Sequence, residues 1–369
     1  MALNFFNPTG LVAGEEFYGR EAAIAAVTTR LESGQSILIL GQRRIGKTSL
    51  LRHLFGFRKP AVPGAHILHD EFLGRDSTVE LLAKSLVRQL LAKGLDSPKR
   101  YRTNLLTLHH WGERLRIRGE YLAIYVNDID DLLYGVETGA DDIERLFRGL
   151  IETGHTVICA TSYVPLEQRD SAHERVPLSN VLYPYTLGAF SEDEASSFLA
   201  DKSQACGDEL SPEEIALILS LAGLVPFYLQ RVGWNLFANP SFVRSKNGQR
   251  LARIVSAIDE HYRSLESLML SDLNHLKPSS VRCLVRAAKE GVVEDTADAR
   301  FLIGRGLLDL GENSFRSQGS MIRELLKEMV DFSETGRVEA RSGVQWLGRL
   351  AEGTIRTVID TAIRTHMGT

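Results

Sequence analysis

An α/β fold is what the sequence predicts: a parallel-sheet core with a phosphate-binding loop, then a helical region and a small C-terminal unit. Three observations carry that expectation. The stretch "SILILGQRRIGKTSLLRH", residues 36–53, sets an apolar strand run directly before a glycine-lysine-threonine loop and a helix-like segment from Ser49 to Phe57. Apolar runs at Ser36–Leu40, His66–Phe72, Tyr121–Val126 and Thr156–Ala160 alternate with amphipathic stretches such as Val79–Lys93 and Asp142–Thr153. Alternation of this kind builds a parallel sheet covered by helices. From Leu187 onward, strand-like runs give way to helical periodicity.

The loop reads Gly41-Gln42-Arg43-Arg44-Ile45-Gly46-Lys47-Thr48, followed by Ser49. It matches G-x-x-x-x-G-K-[ST], the Walker A pattern, in which glycines turn successive N–H groups into one concavity. Lys47 then reaches the β and γ phosphates of a nucleotide, and the Thr48 hydroxyl ligates Mg²⁺. A helix starting there adds its positive end. Ligands in such sheets sit beyond the carboxyl ends of the strands, where both this loop and the acids Asp128–Asp131 fall. The strand His66–Phe72 stands between the loop and the acidic strand in sequence. That extra strand points to a P-loop NTPase core of the additional-strand type.

Composition narrows the class. A chain of 369 residues is long enough for two or three domains. A net charge of -4 argues against a protein that coats nucleic acid generally, and leaves local basic faces to be sought. Cys159, Cys206 and Cys283 lie far apart without C-x-x-C spacing, which suggests neither a disulfide framework nor a zinc site. "MALNFFNPTG" lacks the charged and apolar regions of a secretory signal. The apolar stretch Ile215–Leu229 is interrupted by Pro226 and is shorter than the roughly 20 residues of a membrane span. A soluble protein of the reducing cytoplasm is the expectation.

In "LGAFSEDEASSFL", Ser191 and Glu194 form a capping-box pattern at a helix start. Helices at Ser211–Ala222 and Phe227–Phe237 flank "AGLVPF", and a helical run follows from Arg250 to about Leu270. This region reads as a helical lid. Beyond Ser271 come helices over Pro278–Glu290 and Thr296–Arg305, a ribbon around Gly311-Glu312-Asn313 and a helix over Met321–Phe332, the order of a winged helix. Val344, Leu347, Ile355, Val358, Ile359 and Ala362 recur at helical spacing, so the tail reads as an amphipathic helix. The expected domains are a core over 1–188, a lid over 189–270, a winged helix over 271–332 and a tail over 333–369.

Taken together, these motifs resemble the archaeal-type ATPases and the related STAND class of P-loop switch proteins, with an AAA+-like core. The matching residues are "FYGRE" (Phe17–Glu21), "GQRRIGKTSLL" (Gly41–Leu51), "LAIYVNDIDDLL" (Leu122–Leu133), "VICATS" (Val157–Ser162), "LGAFSEDEA" (Leu187–Ala195) and "GLVPFYL" (Gly223–Leu229). The resemblance implies ATP or ADP with Mg²⁺ as ligands, and a core, lid and winged helix that open or close with nucleotide state. It puts Arg20 near the adenine side, Pro226 in the lid motif that senses nucleotide, and Thr161 or Ser162 as the polar sensor of the fourth strand. The family's acidic strand ends in Asp-Glu, the Asp holding Mg²⁺ through water and the Glu polarising the attacking water. Here those positions read Asn127-Asp128. In one register Asn127 stands on the metal side, Asp128 faces the water, and Asp130 matches a further acid of the relatives. In the other, Asp128 is the Mg²⁺ residue and Asp130 or Asp131 orients water. The first is preferred, and slow ATP hydrolysis follows from it.

Rival constellations are weaker. His66 and His69 are three apart on a strand and point to opposite faces, and the adjacent His109 and His110 do not make a ligand set. A winged helix raises DNA binding as the alternative, yet its second helix sets Glu294, Asp295 and Asp298 against Arg300 and Arg305, a net charge of -1. Reading a major groove calls for an excess of Lys and Arg. Two stretches are more basic: Lys99, Arg100, Arg102, Arg114, Arg116 and Arg118, then Arg244, Lys246, Arg250 and Arg253. Arg43 and Arg44 are candidates for a phosphate or a neighbouring subunit. The sequence therefore points to an ATP/ADP-dependent switch that controls assembly or recruitment of a protein partner. The alternatives are an initiator- or remodelling-type ATPase on DNA and a nucleotide-bound scaffold without turnover.

Overall fold

Runs of apolar residues buried on both faces form the centre of the fold. β1 (Ile37–Leu40) and β4 (Thr156–Ser162) are buried throughout, and β3 (Tyr121–Val126) at all but its first residue, as strands covered by helices on both faces require. With β2 (Ala65–His69) and β5 (Tyr183–Thr186) they make a parallel sheet in the order β2-β3-β4-β1-β5. The computed structural model describes residues 4–7, 11–58, 65–69, 79–94, 105–130, 132, 140–152, 154–163, 178–239, 242, 249–258, 260, 273, 276–291, 293–304, 307–309, 318–319, 322–323 and 326–327.

This order has the additional strand that the sequence predicts. The strand that separates the loop strand from the acidic strand in space is β4, whereas β2, the strand read at His66–Phe72, lies at the sheet edge. The physical reason is burial: β4 is covered at every position, while β2 is only partly buried at all but Leu68. A strand needing cover on all sides takes the interior.

Among the described residues, α1 (Glu21–Glu32), α2 (Lys47–His53), α3 (Val79–Ala92), α4 (Leu105–Arg118) and α5 (Ala140–Glu152) accompany the sheet. Leu86, Leu90, Trp111, Leu115 and Phe147 from α3, α4 and α5 pack with Ile124 and Ile158 of the sheet in one core. α2 runs on into a π-helical turn, Leu54–Arg58.

The chain groups into two units. One comprises Leu11–Gly41 with Gly46–Leu187 and contains the sheet; the other comprises Met1–Gly10, Gln42–Ile45 and Gly188–Thr369. In the second, α6 (Glu192–Ala205), α7 (Pro212–Ala222) and α8 (Pro226–Ala238) pack on one another. α6 opens on the capping box Ser191–Glu194, and α7 on a second one, Ser211–Glu214. Gly223 ends α7 with φ at 75°, and Gly319 comes so close to the same elbow that a Cβ there would lie 2.5 Å from Gly223 N. Residues 4–7 lie on these helices, with Phe6 stacked on Phe237 at 5.5 Å and edge-on to Phe198 at 5.9 Å.

Helices α9 (Pro278–Glu290) and α10 (Ala297–Gly304) pack together, joined by Ser279 and Ser280 hydroxyls that donate to Asp298 at 3.1 and 2.5 Å. The ribbon expected around Gly311-Glu312-Asn313, most of the helix expected over Met321–Phe332 and the tail over 333–369 lie outside the described residues. Among those described, no helix is long and apolar enough to cross a membrane.

Candidate functional site

Three strand ends meet where the loop leaves the sheet. β1 pairs with β4 so that Leu40 stands opposite Ser162, and β4 pairs with β3 so that Ala160 stands opposite Val126. Gly41 therefore leaves the sheet beside Thr161–Ser162, and Asn127-Asp128 leaves it on the other side of the same strand.

Two residues bend the loop through the left-handed region, Arg44 at φ 66° and Gly46 at φ 101°. Arg44 has a Cβ and bears a cost of about 1–2 kcal/mol there, whereas Gly46 is free of it. Gly46 is also the N-cap of α2, and it supplies no side-chain cap. This contrasts with α6 and α7, whose first N–H groups are closed off by serine and glutamate. The first turn of α2 thus presents backbone donors and a positive helix end, and a Cβ built on Gly46 meets nothing within 4 Å. Lys47 is 6% exposed and its Nζ donates to Gly41 O at 2.9 Å. Gln42 and Ile45 are buried. Gln42–Ile45 group with the helical unit, and there the Arg44 guanidinium lies 5.4 Å over the Phe227 ring. Ser49 uses its hydroxyl to accept the Val12 N–H at 3.3 Å.

At the acidic end, Asp128 is left-handed, with φ at 47°. Thr161 is fully buried, and its Oγ1 accepts the Asp128 N–H at 2.7 Å while lying 3.2 Å from Asn127 Oδ1 and 3.3 Å from Asp128 Oδ1. Asn127 Nδ2 donates to Asp128 Oδ2 at 3.1 Å. Asp130 turns away from this group. It is 1% exposed, with Oδ1 accepting from Ser162 Oγ at 2.7 Å and Oδ2 from Tyr163 N at 2.8 Å. The structure thus brings Asn127, Asp128 and Thr161 into one cluster and gives Asp130 and Ser162 a second, inward one. Asp131 lies outside the described residues.

This arrangement suits a phosphate chain with a hard cation. Among the described residues, no group of three His, Cys, Asp or Glu side chains could hold a metal by itself. The Thr48 hydroxyl and the Asp128 carboxylate fit Mg²⁺, which takes few protein oxygens and completes its shell with waters and phosphate oxygens.

Arg20, at φ 71° and 7% exposed, caps α1, and its carbonyl accepts the Ile24 N–H at 2.8 Å. Pro226 stands in the first turn of α8 in the helical unit. His66 pairs with Glu120 at 2.8 Å and His69 stacks on Phe55.

Several basic residues read as a possible nucleic-acid track prove to be engaged. Arg250, expected on a solvated basic face, is 7% exposed and donates to Glu214 at 2.5 Å and to Asp208 at 2.7 Å. Arg116 pairs with Glu113, and Arg114 lies over Trp111. Lys99, Arg100, Arg102, Arg244, Lys246 and Arg305 lie outside the described residues.

Sequence reasoning missed His53. Its ring stacks on Phe17 at 4.4 Å, and Nδ1 accepts the Gly14 N–H at 3.2 Å, tying the leader to α2. Burial, with Arg58 nearby, pushes its pKa down, against an opposing pull from Glu21.

Known proteins place the chain. The sequence profile described as "AAA ATPase domain" matches residues 16–219. No curated protein matches. Among solved structures, the Walker-type ATPase PABY2304 of Pyrococcus abyssi is 16% identical over 96% of this chain and 99% of its own, with a TM-score of 0.57. The Aeropyrum pernix ORC2 protein is 15% identical over 99% and 98%, with a TM-score of 0.50. At these identities the likenesses show the fold, a P-loop NTPase sheet with flanking helices. The profile spans more than half of the sequence, and the chain belongs to the AAA ATPase domain family.

Proposed function

We propose that the chain binds ATP and ADP with Mg²⁺, hydrolyses ATP slowly, and acts as a nucleotide-dependent switch that controls assembly or recruitment of a protein partner. The observation that carries this reading is the uncapped start of α2 at Gly46, beside buried Lys47 and facing a strand pair that presents Asp128. The Aeropyrum pernix ORC2 structures are described as ADPNP-ADP complexes, which supports adenine nucleotides.

In this reading Gly41–Ile45 and Gly46 cradle the phosphates with their N–H groups, and Lys47 exchanges the Gly41 carbonyl for a phosphate oxygen. Thr48 and Asp128 form the metal side. Mg²⁺, when bound, neutralises charge building on the β and γ phosphates. Asp128 also orients the water that forms the new P–O bond as the bond to ADP breaks. Thr161 holds Asp128 by its N–H. Arg20 lies on the base side, and Pro226 starts the lid helix that follows nucleotide state. Arg44 against Phe227, the residue after Pro226, supports a link between loop and lid. In this reading the domains are a core over 1–188, a lid over 189–270, a winged helix over 271–332 and a tail over 333–369.

The reading on DNA loses support from Arg250, which is buried in pairs with Glu214 and Asp208. Phosphate release from ATP with Mg²⁺, together with ATP binding, tests the proposal on wild type, Lys47→Ala and Asp128→Ala. Lys47→Ala is expected to lose binding and Asp128→Ala to bind without turnover. Wild-type turnover by Asp128→Ala would refute the assignment of Asp128. A mobility shift of duplex DNA at low salt would restore the DNA reading.

A further inference from the structure

We infer that Asn127 is a positioning residue for Asp128, which it holds in place before any cation arrives, and not a group that faces the metal. The inference rests on the reading of Asp128 as the carboxylate of the site. Its basis is the set of contacts that joins Asn127, Asp128 and Thr161.

The orientation of the Asn127 amide follows from its neighbours. A carboxylate offers only acceptors, so the NH₂ end must face Asp128 Oδ2, as it does at 3.1 Å. Oδ1 then faces Thr161 Oγ1 at 3.2 Å. That hydroxyl already accepts the Asp128 N–H at 2.7 Å, which leaves its single proton for Asn127 Oδ1 or Asp128 Oδ1. Asn127 is thus bonded to Asp128 through its NH₂ end, and its oxygen shares the Thr161 proton with Asp128 Oδ1, so both ends of the amide meet groups that fix Asp128. The Asp128 backbone is left-handed, a region aspartate enters more readily than most residues with a side chain, and these bonds act on that geometry.

The family's aspartate at 127 would instead set two carboxylates side by side. Such a pair must take up a proton or a cation to relieve its repulsion. Asparagine removes that requirement. Its effect on turnover then lies in kcat, not in affinity for nucleotide or Mg²⁺.

Two sets of measurements test this on the full chain. The first needs no nucleotide: thermal melts of Asn127→Ala, Asn127→Asp and the exchange Asn127→Asp with Asp128→Asn. Asn127→Asp is expected to melt lower than Asn127→Ala by about 3 °C or more, and the exchange, which rebuilds an amide–carboxylate pair, to recover most of that loss. The second set reads Mg²⁺ dependence through binding of a fluorescent ATP analogue, with kcat and KM beside it. Asn127→Ala is expected to leave the Mg²⁺ midpoint and KM unchanged while kcat falls by on the order of tenfold to a hundredfold. A Mg²⁺ midpoint displaced as far as in Thr48→Ala would overturn the inference and put Asn127 on the metal. So would an Asn127→Asp protein that melts no lower than Asn127→Ala. A wild type that binds no ATP would end the functional proposal, and the nucleotide-free melts would still decide this one.

Discussion

Replacing Asp130 by alanine separates a holding role from a catalytic one. The carboxylate is 1% exposed and accepts from the Ser162 hydroxyl and the Tyr163 N–H, which joins the end of β3 to the end of β4. In Asp130→Ala the serine can turn its proton toward another acceptor. The Tyr163 backbone N–H cannot turn. Leaving it unpaired costs about 1–3 kcal/mol, and the lost hydrogen bond from serine to a carboxylate adds about 1.5 kcal/mol. A total of about 3–4 kcal/mol corresponds to a fall in melting temperature of about 10 °C for a unit of this size. Asp130→Asn keeps one acceptor oxygen but turns an NH₂ toward the second donor, so about half of that loss is expected. Circular-dichroism melts of the three proteins without nucleotide are the assay. Asp130→Ala melting within about 2 °C of wild type would refute the reasoning. If such a protein had also lost turnover, Asp130 would have to face the reaction, as the second register of the acidic strand supposes.

A methyl added at Gly233 would lie 2.6 Å from Phe6 Cγ and closer still to two other ring atoms, so Gly233→Ala should displace the N-terminal segment from its helices. The segment can leave without opening those helices, which bounds the loss at about 2 kcal/mol. Cys206, 4% exposed and accepting the Phe5 N–H at 3.3 Å, should then react faster with a thiol reagent, read at that residue by mass spectrometry. An unchanged labelling rate would show that the segment stays. His53 supplies the pH dependence. Its folded pKa lies below the ordinary histidine value of 6.5, so the unfolded chain binds the proton more tightly. The contribution is complete above pH 6.5 and is lost as pH falls through the folded value. His53→Gln, which keeps an acceptor for Gly14 without titrating, should flatten the fall in melting temperature below that pH; equal slopes in both proteins would exclude His53 as the cause.

The central strands were legible because burial on both faces leaves a continuous apolar run. "ILIL" and "YLAIYV" have no other stable place in a globular chain. Ser191 with Glu194, and Pro278 opening α9, were legible because caps act over three or four residues of sequence. β5 was not. "YPYT" carries a proline and is mostly exposed, which an edge strand tolerates and a pattern of apolar residues does not reveal. α1 was missed for a related reason: its buried stripe is Ala23, Val27 and Leu31, with alanine and threonine between, so the faces differ little in hydropathy.

At the site, spacing marked the residues and could not assign their roles. The loop is a local motif, and its chemistry follows from eight consecutive positions. The acidic end depends on β4, more than thirty residues further along, because only Thr161, Ser162 and Tyr163 decide which carboxylate is tied inward and which is not. Asp128 and Asp130 are two apart and equally acidic in sequence; the partner strand gives one a left-handed backbone beside a threonine and the other a buried pair of donors. Arg250 shows the same dependence. In sequence it joins Arg253 as a basic face, but Glu214, itself the closing residue of a helix cap, and Asp208 turn it into a buried tie between helices. Removing Glu214 would leave that guanidinium buried against a single carboxylate, so the charge that resembles a nucleic-acid contact in sequence is committed to holding the helical unit together.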